Sequence, residues 1–154
     1  DLVQMKRGVR VRKTAKAVGG GGERKTAEIL EYARKLIEAA PVGILTYDAS
    51  GQCVSANGAA ARIMDATIER LLAQNFRTLK SWKASGLLEA AEKTLATGRG
   101  RRLETRLTTT LGKSVRLDNQ FERFVSGGGQ FLLCVVSDTS TLDAAHGQEI
   151  RRYS

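Results

Sequence analysis

Residues 131 to 141 read FLLCVVSDTST, an unbroken apolar run that ends in small polar residues and passes straight into helix-like sequence. A strand with one wetted face alternates apolar and polar side chains, and Phe131 to Val136 do not alternate. Both faces of this strand are therefore expected to be covered. Burying each of Phe131, Leu132, Leu133, Val135 and Val136 contributes roughly 1.5–3 kcal/mol. Such a strand belongs at the centre of a sheet, and whatever follows Ser140 leaves from the middle of the fold.

The rest of the chain supplies the partners for that strand. ERKTAEILEYARKLIEAAP places Ile29, Ala33, Leu36 and Ala40 at helical spacing, with Leu30 and Ile37 beside them, and Pro41 stops the helix. This stripe covers a core or forms a dimer seam. VGILTYD and QCVSAN read as two strands joined by Ala49-Ser50-Gly51, a hairpin. Asn57 is placed to cap a helix starting at Gly58, and Ser85 to cap GLLEAAEKTLATG. RRLETRLTTT and SVRLDNQFE alternate as strands, and Gly127-Gly128-Gly129 turns the chain into the apolar run. The order predicts an α+β fold on an antiparallel sheet. Four segments are expected: a basic, glycine-ended linker or arm over 1–22, an amphipathic helix over 23–40, a domain over 41–140, and the start of an exit helix over 141–154.

Charge and rare residues exclude several functions. Of the formal charge of +9, residues 1–25 carry +6, so the globular part is nearly balanced and the arm reads as a solvated linker. It has no aromatic residue to stack on bases, which disfavours nucleic-acid binding. His146 is the only histidine, it falls in the exit segment, and multi-histidine metal centres are excluded. Gly19–Gly22 lacks the Lys-Ser/Thr of a phosphate loop and reads as a flexible joint. No nucleophile–base–acid constellation appears, so the chain is not expected to be an enzyme. No apolar stretch approaches the roughly 20 residues of a membrane span, and a cytoplasmic setting is expected. A first residue other than methionine and a polar end suggest a piece of a longer protein.

Over residues 37–141 the pattern resembles a PAS domain. IEAAPVGILTYDASGQCVSANGAAARIM is similar to the family's entry: a helix ending in Ala-Pro, an apolar strand ending in Asp, a glycine turn, and an Asn before a small-residue helix. FLLCVVSDTST is similar to the Asp-Ile-Thr ending from which PAS domains pass into their signalling helix, with Thr139 in place of the isoleucine and Ser140 in place of the threonine. The resemblance implies a five-stranded antiparallel sheet in the order 2-1-5-4-3, with short helices capping one face over a small pocket. Cys53 and Cys134 would lie on strands two apart, with Cα atoms about 9–10 Å from each other, beyond the roughly 7 Å limit for a disulfide. They are expected to be free thiols.

What the resemblance implies about ligands is narrowed by the residues. AQNFRTLK is similar to the reactive segment of the flavin photosensor branch, the LOV domains, but Phe76 stands where the adduct-forming cysteine is needed, so that photochemistry is excluded. The long helix before the third strand has no histidine for haem, and Met64 or Cys134 as axial ligands have no support. A non-covalent flavin or a small metabolite stays open, with Trp82 as a stacking platform or a core residue. Strand parity gives an inward set of Leu45, Tyr47, Leu132, Cys134 and Val136, and Asn57, Trp82, Leu117 and Phe121 complete the candidate pocket. Asn119 stands out as a polar amide in the Val115-Leu117-Phe121 row, and a buried amide needs partners. Asp138, Thr139 and Ser140 form the expected relay joint, with Ser140 capping the exit helix and Asp143 completing the cap. The stripe Ile29, Leu30, Ala33, Leu36, Ile37, Ala40 is expected to make a homodimer, packing across the outer face of the central strand. The implied function is a sensory and relay domain feeding an output module in the same protein: a sensor kinase, a cyclic-dinucleotide enzyme or a transcriptional regulator. The alternative is a ligand-free scaffold that only assembles dimers.

Overall fold

The structure, a computed structural model, describes residues 2–4, 10–12, 20–108 and 112–140. Two three-residue strands, β1 (Leu2–Gln4) and β2 (Arg10–Arg12), precede the first helix, α1 (Gly20–Ala39). Three of the glycines read as a joint, Gly20 to Gly22, thus enter the helix's first turn, where the N–H groups lack intrahelical partners anyway. Thr26 steadies that turn by donating its hydroxyl to Gly22 O at 2.7 Å.

The hairpin β3 (Gly43–Asp48) and β4 (Cys53–Ala56) forms as expected. Its turn is built on Asp48, whose Oδ1 accepts from Ser50 N at 2.9 Å and Gln52 N at 3.1 Å. Gly51 takes φ +98°, a conformation open to glycine at no steric cost. Then come α2 (Gly58–Met64), α3 (Ile68–Leu72), a 3-10 turn at Phe76–Thr78, α4 (Lys80–Ser85) and α5 (Leu87–Thr97). Ser85 does not cap α5 as expected. It ends α4, its Oγ comes only within 3.4 Å of Leu87 N, and Gly86 at φ +90° breaks the two helices apart.

Strands β5 (Arg101–Thr108), β6 (Ser114–Ser126) and β7 (Gly129–Asp138) complete an antiparallel sheet. The sheet order is β1-β2-β4-β3-β7-β6-β5. Counted from β3 as the first, the five strands β3 to β7 stand in the expected 2-1-5-4-3 order. The arm, expected to be a linker, adds two strands beyond β4 through Arg10↔Ala56, and the short alternation Val-Arg-Val-Arg over 9–12 is the only trace of the pairing in its sequence.

The apolar run of β7 is central, paired with β3 from Gly43↔Val136 to Asp48↔Phe131 and with β6 from Leu117↔Asp138 to Ser126↔Gly129. Its inward residues Leu132, Cys134 and Val136 are buried with Leu45, Tyr47, Val115, Leu117 and Phe121 against the short helices. Its outward residues Phe131, Leu133 and Val135 are only half-buried. Here the expectation needs correction. α1 does not lie across this face: Ile29, Leu30 and Leu36 are 65%, 63% and 56% exposed, Ala33 is exposed, and only Ile37 and Ala40 are half-buried.

Candidate functional site

Between the inner face of the sheet and helices α2 to α5 lies a cavity of about 70 Å³. Leu45, Tyr47, Leu117, Asn119, Cys134 and Val136 line it from the strands, and Trp82 of α4 lines it from the helical side. Thr105 and Leu107 of β5 join them, as do Gln74, Ser81 and Ser85 from the helical side. Thr105 was within reach of the same parity argument, because it alternates with Leu103 and Leu107. The helical polar residues carry no such signal.

Two expected pocket residues do not line the cavity. Phe121 is fully buried behind Trp82, ring centroids 5.6 Å apart. Asn57 is fully buried and spends its whole amide on backbone. Its Oδ1 accepts from Ile44 N at 2.9 Å and Ala60 N at 3.0 Å, and its Nδ2 donates to Ile37 O at 2.8 Å and Val42 O at 3.1 Å. It caps α2 as expected and also rivets the end of α1 to β3. A ligand has nothing left to bond there.

Size and packing decide the large cofactors. Drug-sized ligand sites measure roughly 300–1,000 Å³, so neither an isoalloxazine nor a haem fits in about 70 Å³. Trp82 is not a free platform: it stacks on Phe76 at 5.2 Å and meets Tyr47 edge-on at 5.3 Å. The cavity is sized for a few waters or a compact solute.

Asn119 gives that cavity an oriented amide. Nδ2 donates to Leu103 O at 3.0 Å and to Thr105 Oγ1 at 2.9 Å. A carbonyl can only accept, so the amide's orientation is fixed. Oδ1 receives no hydrogen bond from the described residues, and the side chain is 3% exposed. That oxygen is left to accept from a donor that enters the cavity.

The two thiols are free and buried, on β4 and β7 with β3 between them. Burial pushes the Cys53 thiol from 9.0 to about 12 and raises Cys134 further. Neither is a nucleophile near neutrality. In the unfolded chain both ionise near 9.0, so the proton is held more tightly in the native state and stability falls as pH rises from about 9 toward 12. Two observations should follow. Neither cysteine reacts with a thiol reagent at pH 7–8 until denaturant is added, and the melting temperature drops steeply above pH 9. Prompt labelling of the native chain contradicts the burial.

The exit from the sheet is the second feature, and it differs from the expected cap. Ser140 Oγ does not serve its own helix but accepts from Arg116 N on β6 at 2.7 Å. Thr139 N and Oγ1 both donate to Arg116 O, at 2.9 and 3.3 Å. The capping acceptor is Asp138, whose Oδ1 takes Ser140 N at 2.9 Å. Arg116 thus holds the exit through its backbone, between Val115 in the core and Leu117 in the cavity wall. No side-chain signal could have singled it out. Asp143, His146 and the exit helix lie outside the described residues.

Among the described residues no group of three His, Cys, Asp or Glu could hold a metal ion, and no helix is long and apolar enough to cross a membrane. No curated protein sequence matches the chain significantly. Solved structures do resemble it. A PAS domain from a two-component sensor histidine kinase is similar with a TM-score of 0.60 at 17% identity, over 73% of this chain and 98% of that one. A domain of a sensory box sensor histidine kinase/response regulator from Geobacter sulfurreducens gives 0.61 at 23%, over 73% and 96%. The PAS domain of Bordetella pertussis BvgS gives 0.57 at 19%, over 84% and 98%. Residues 31–139 match the family described as the PAS fold. With the strand order, the helical cap over a small cavity and the Asp-Thr-Ser exit already in place, this match settles the lineage: the chain belongs to the PAS family.

Proposed function

We propose that this PAS domain is a relay module that reads the packing state of its cavity and passes it through the exit after β7 to an output module of a larger signalling protein, as a homodimer. The observation that carries this is the sharing of β6. Leu117 walls the cavity, and its neighbour Arg116 makes three of the bonds that fix Thr139 and Ser140. A solute that shifts Leu117 or Asn119 therefore moves the strand on which the exit hangs. Domains of sensor histidine kinases are among the structural neighbours, which supports a two-component setting. A ligand compact enough for the cavity, presenting a hydrogen-bond donor to Asn119 Oδ1, fits this reading better than a flavin or haem.

The test is Ser140→Ala. It removes the acceptor of Arg116 N and should cost the domain about 0.5–1.5 kcal/mol, leaving the fold intact. In the full-length protein the output should lose most of its response to stimulus, a far larger effect than the loss of stability accounts for. A mutant whose stimulated and resting outputs both equal the parent's would end the relay reading. It would leave the second reading, a scaffold that only dimerises.

A further inference from the structure

The outer face of β5 and β6 carries a charge ladder with one rung unbalanced. Arg102 forks onto Asp118, with Nε 2.9 Å from both carboxylate oxygens and Nη2 2.6 Å from Oδ2. Arg116 Nε sits 3.4 Å from Glu104 Oε1. Arg106 stands directly opposite Arg116 across the two strands, and no described residue gives it an acid or a hydrogen bond. Like charges directly opposed on a sheet destabilise it. The rung persists beside a depression of about 170 Å³ lined by Arg106, Ser114, Val115, Arg116 and Ser140.

We propose that this depression binds a small anion with two or more oxygens, a phosphate or a carboxylate, between Arg106 and Arg116. Guanidinium forks match such oxygens two at a time, and the bonds are charge-assisted. Ser140 fits the same role. Its Oγ accepts from Arg116 N, which leaves the hydroxyl proton to donate to an anion in the depression. A bound anion touches β5, β6 and Ser140, two residues beyond β7, at once, so it clamps the exit to the sheet. That regulatory consequence rests on the relay reading, whereas the binding does not.

Amide spectra of this chain, titrated separately with inorganic phosphate and with succinate at constant ionic strength, test the site. The amides of Arg106, Ser114, Arg116 and Ser140 should shift saturably with at least one anion, beyond any shift that chloride gives. The stronger of the two tells phosphate from carboxylate. Arg106→Gln, at an exposed position where folding is spared, should weaken binding about tenfold, the loss of roughly one charge-assisted contact. Arg102→Gln should bind as the parent does. No saturable shift with either anion, or an Arg106→Gln chain that binds as tightly as the parent, overturns the site. Because binding is read on this chain alone, such a failure leaves the Ser140→Ala test untouched.

Discussion

Asn57→Ala should lower the melting temperature by about 10–20 °C, the largest effect of any single substitution in the core's polar groups. The side chain holds four backbone groups at once: Ile44 N, Ala60 N, Ile37 O and Val42 O. Each such bond contributes about 0.5–1.5 kcal/mol net, and buried groups left without a partner cost more, so the total is about 3–5 kcal/mol. The loss should be localised first. Amide exchange should speed up at the end of α1 and the start of β3 before the β6–β7 ladder loosens. Asn57→Asp separates the two halves of the joint, since a carboxylate keeps the acceptor side but faces two carbonyls where Nδ2 donated. That variant should be intermediate in stability and should recover as pH falls, because only the protonated acid can donate there. An alanine variant within a degree or two of the parent would show that water replaces the amide without cost and that α1 is not riveted through this residue.

Glutamate at both Leu30 and Leu36 should convert a dimer into a monomer at micromolar concentration while leaving the domain's own melting nearly unchanged. Both side chains are more than half exposed, with Ile29 and Tyr32 beside them, so the lone chain gains little from them. A 20-residue helix about 30 Å long, wet on its apolar side, is marginal by itself. Two such helices related by a two-fold axis bury each other's stripe. The half-buried Phe131, Leu133 and Val135 on the outer sheet face offer a second surface for the same assembly. Sedimentation velocity reads the result directly. The parent should run near twice the monomer mass and the double variant at the monomer mass. A parent that sediments as a well-folded monomer would remove the dimer and leave the exposed stripe without a role in self-association.

Parity along strands was legible because it is local. Leu45, Tyr47, Leu117, Cys134 and Val136 fall inward since side chains alternate with period two, and nothing distant can change that without shifting a register. The lack of alternation in β7 likewise announced its central place. What sequence could not give were bonds between residues far apart in the chain. Ser140 looked like a local helix cap, and its hydroxyl instead meets a backbone N–H 24 residues upstream. Asn57 looked like a cap and a pocket residue; it is the first and not the second, because carbonyls 15 and 20 residues away claim its Nδ2. The exposed stripe of α1 has a related cause. An amphipathic stripe states that a surface wants covering, not whether its own chain covers it.

The two borders of the sheet bear on the protein's behaviour at high concentration. β5 is a border strand, and Arg101, Arg102, Glu104 and Arg106 punctuate it with charge at nearly every second residue. At the opposite border the exposed ladder of β4 is partly taken up by β2, and the outermost strand, β1, is only three residues long. Short or charged borders are poor templates for strand addition from another molecule. Runaway β-pairing of the kind that seeds fibrils is therefore discouraged at both ends, even though the centre of the sheet is a continuous apolar segment that would aggregate readily if it were ever laid bare.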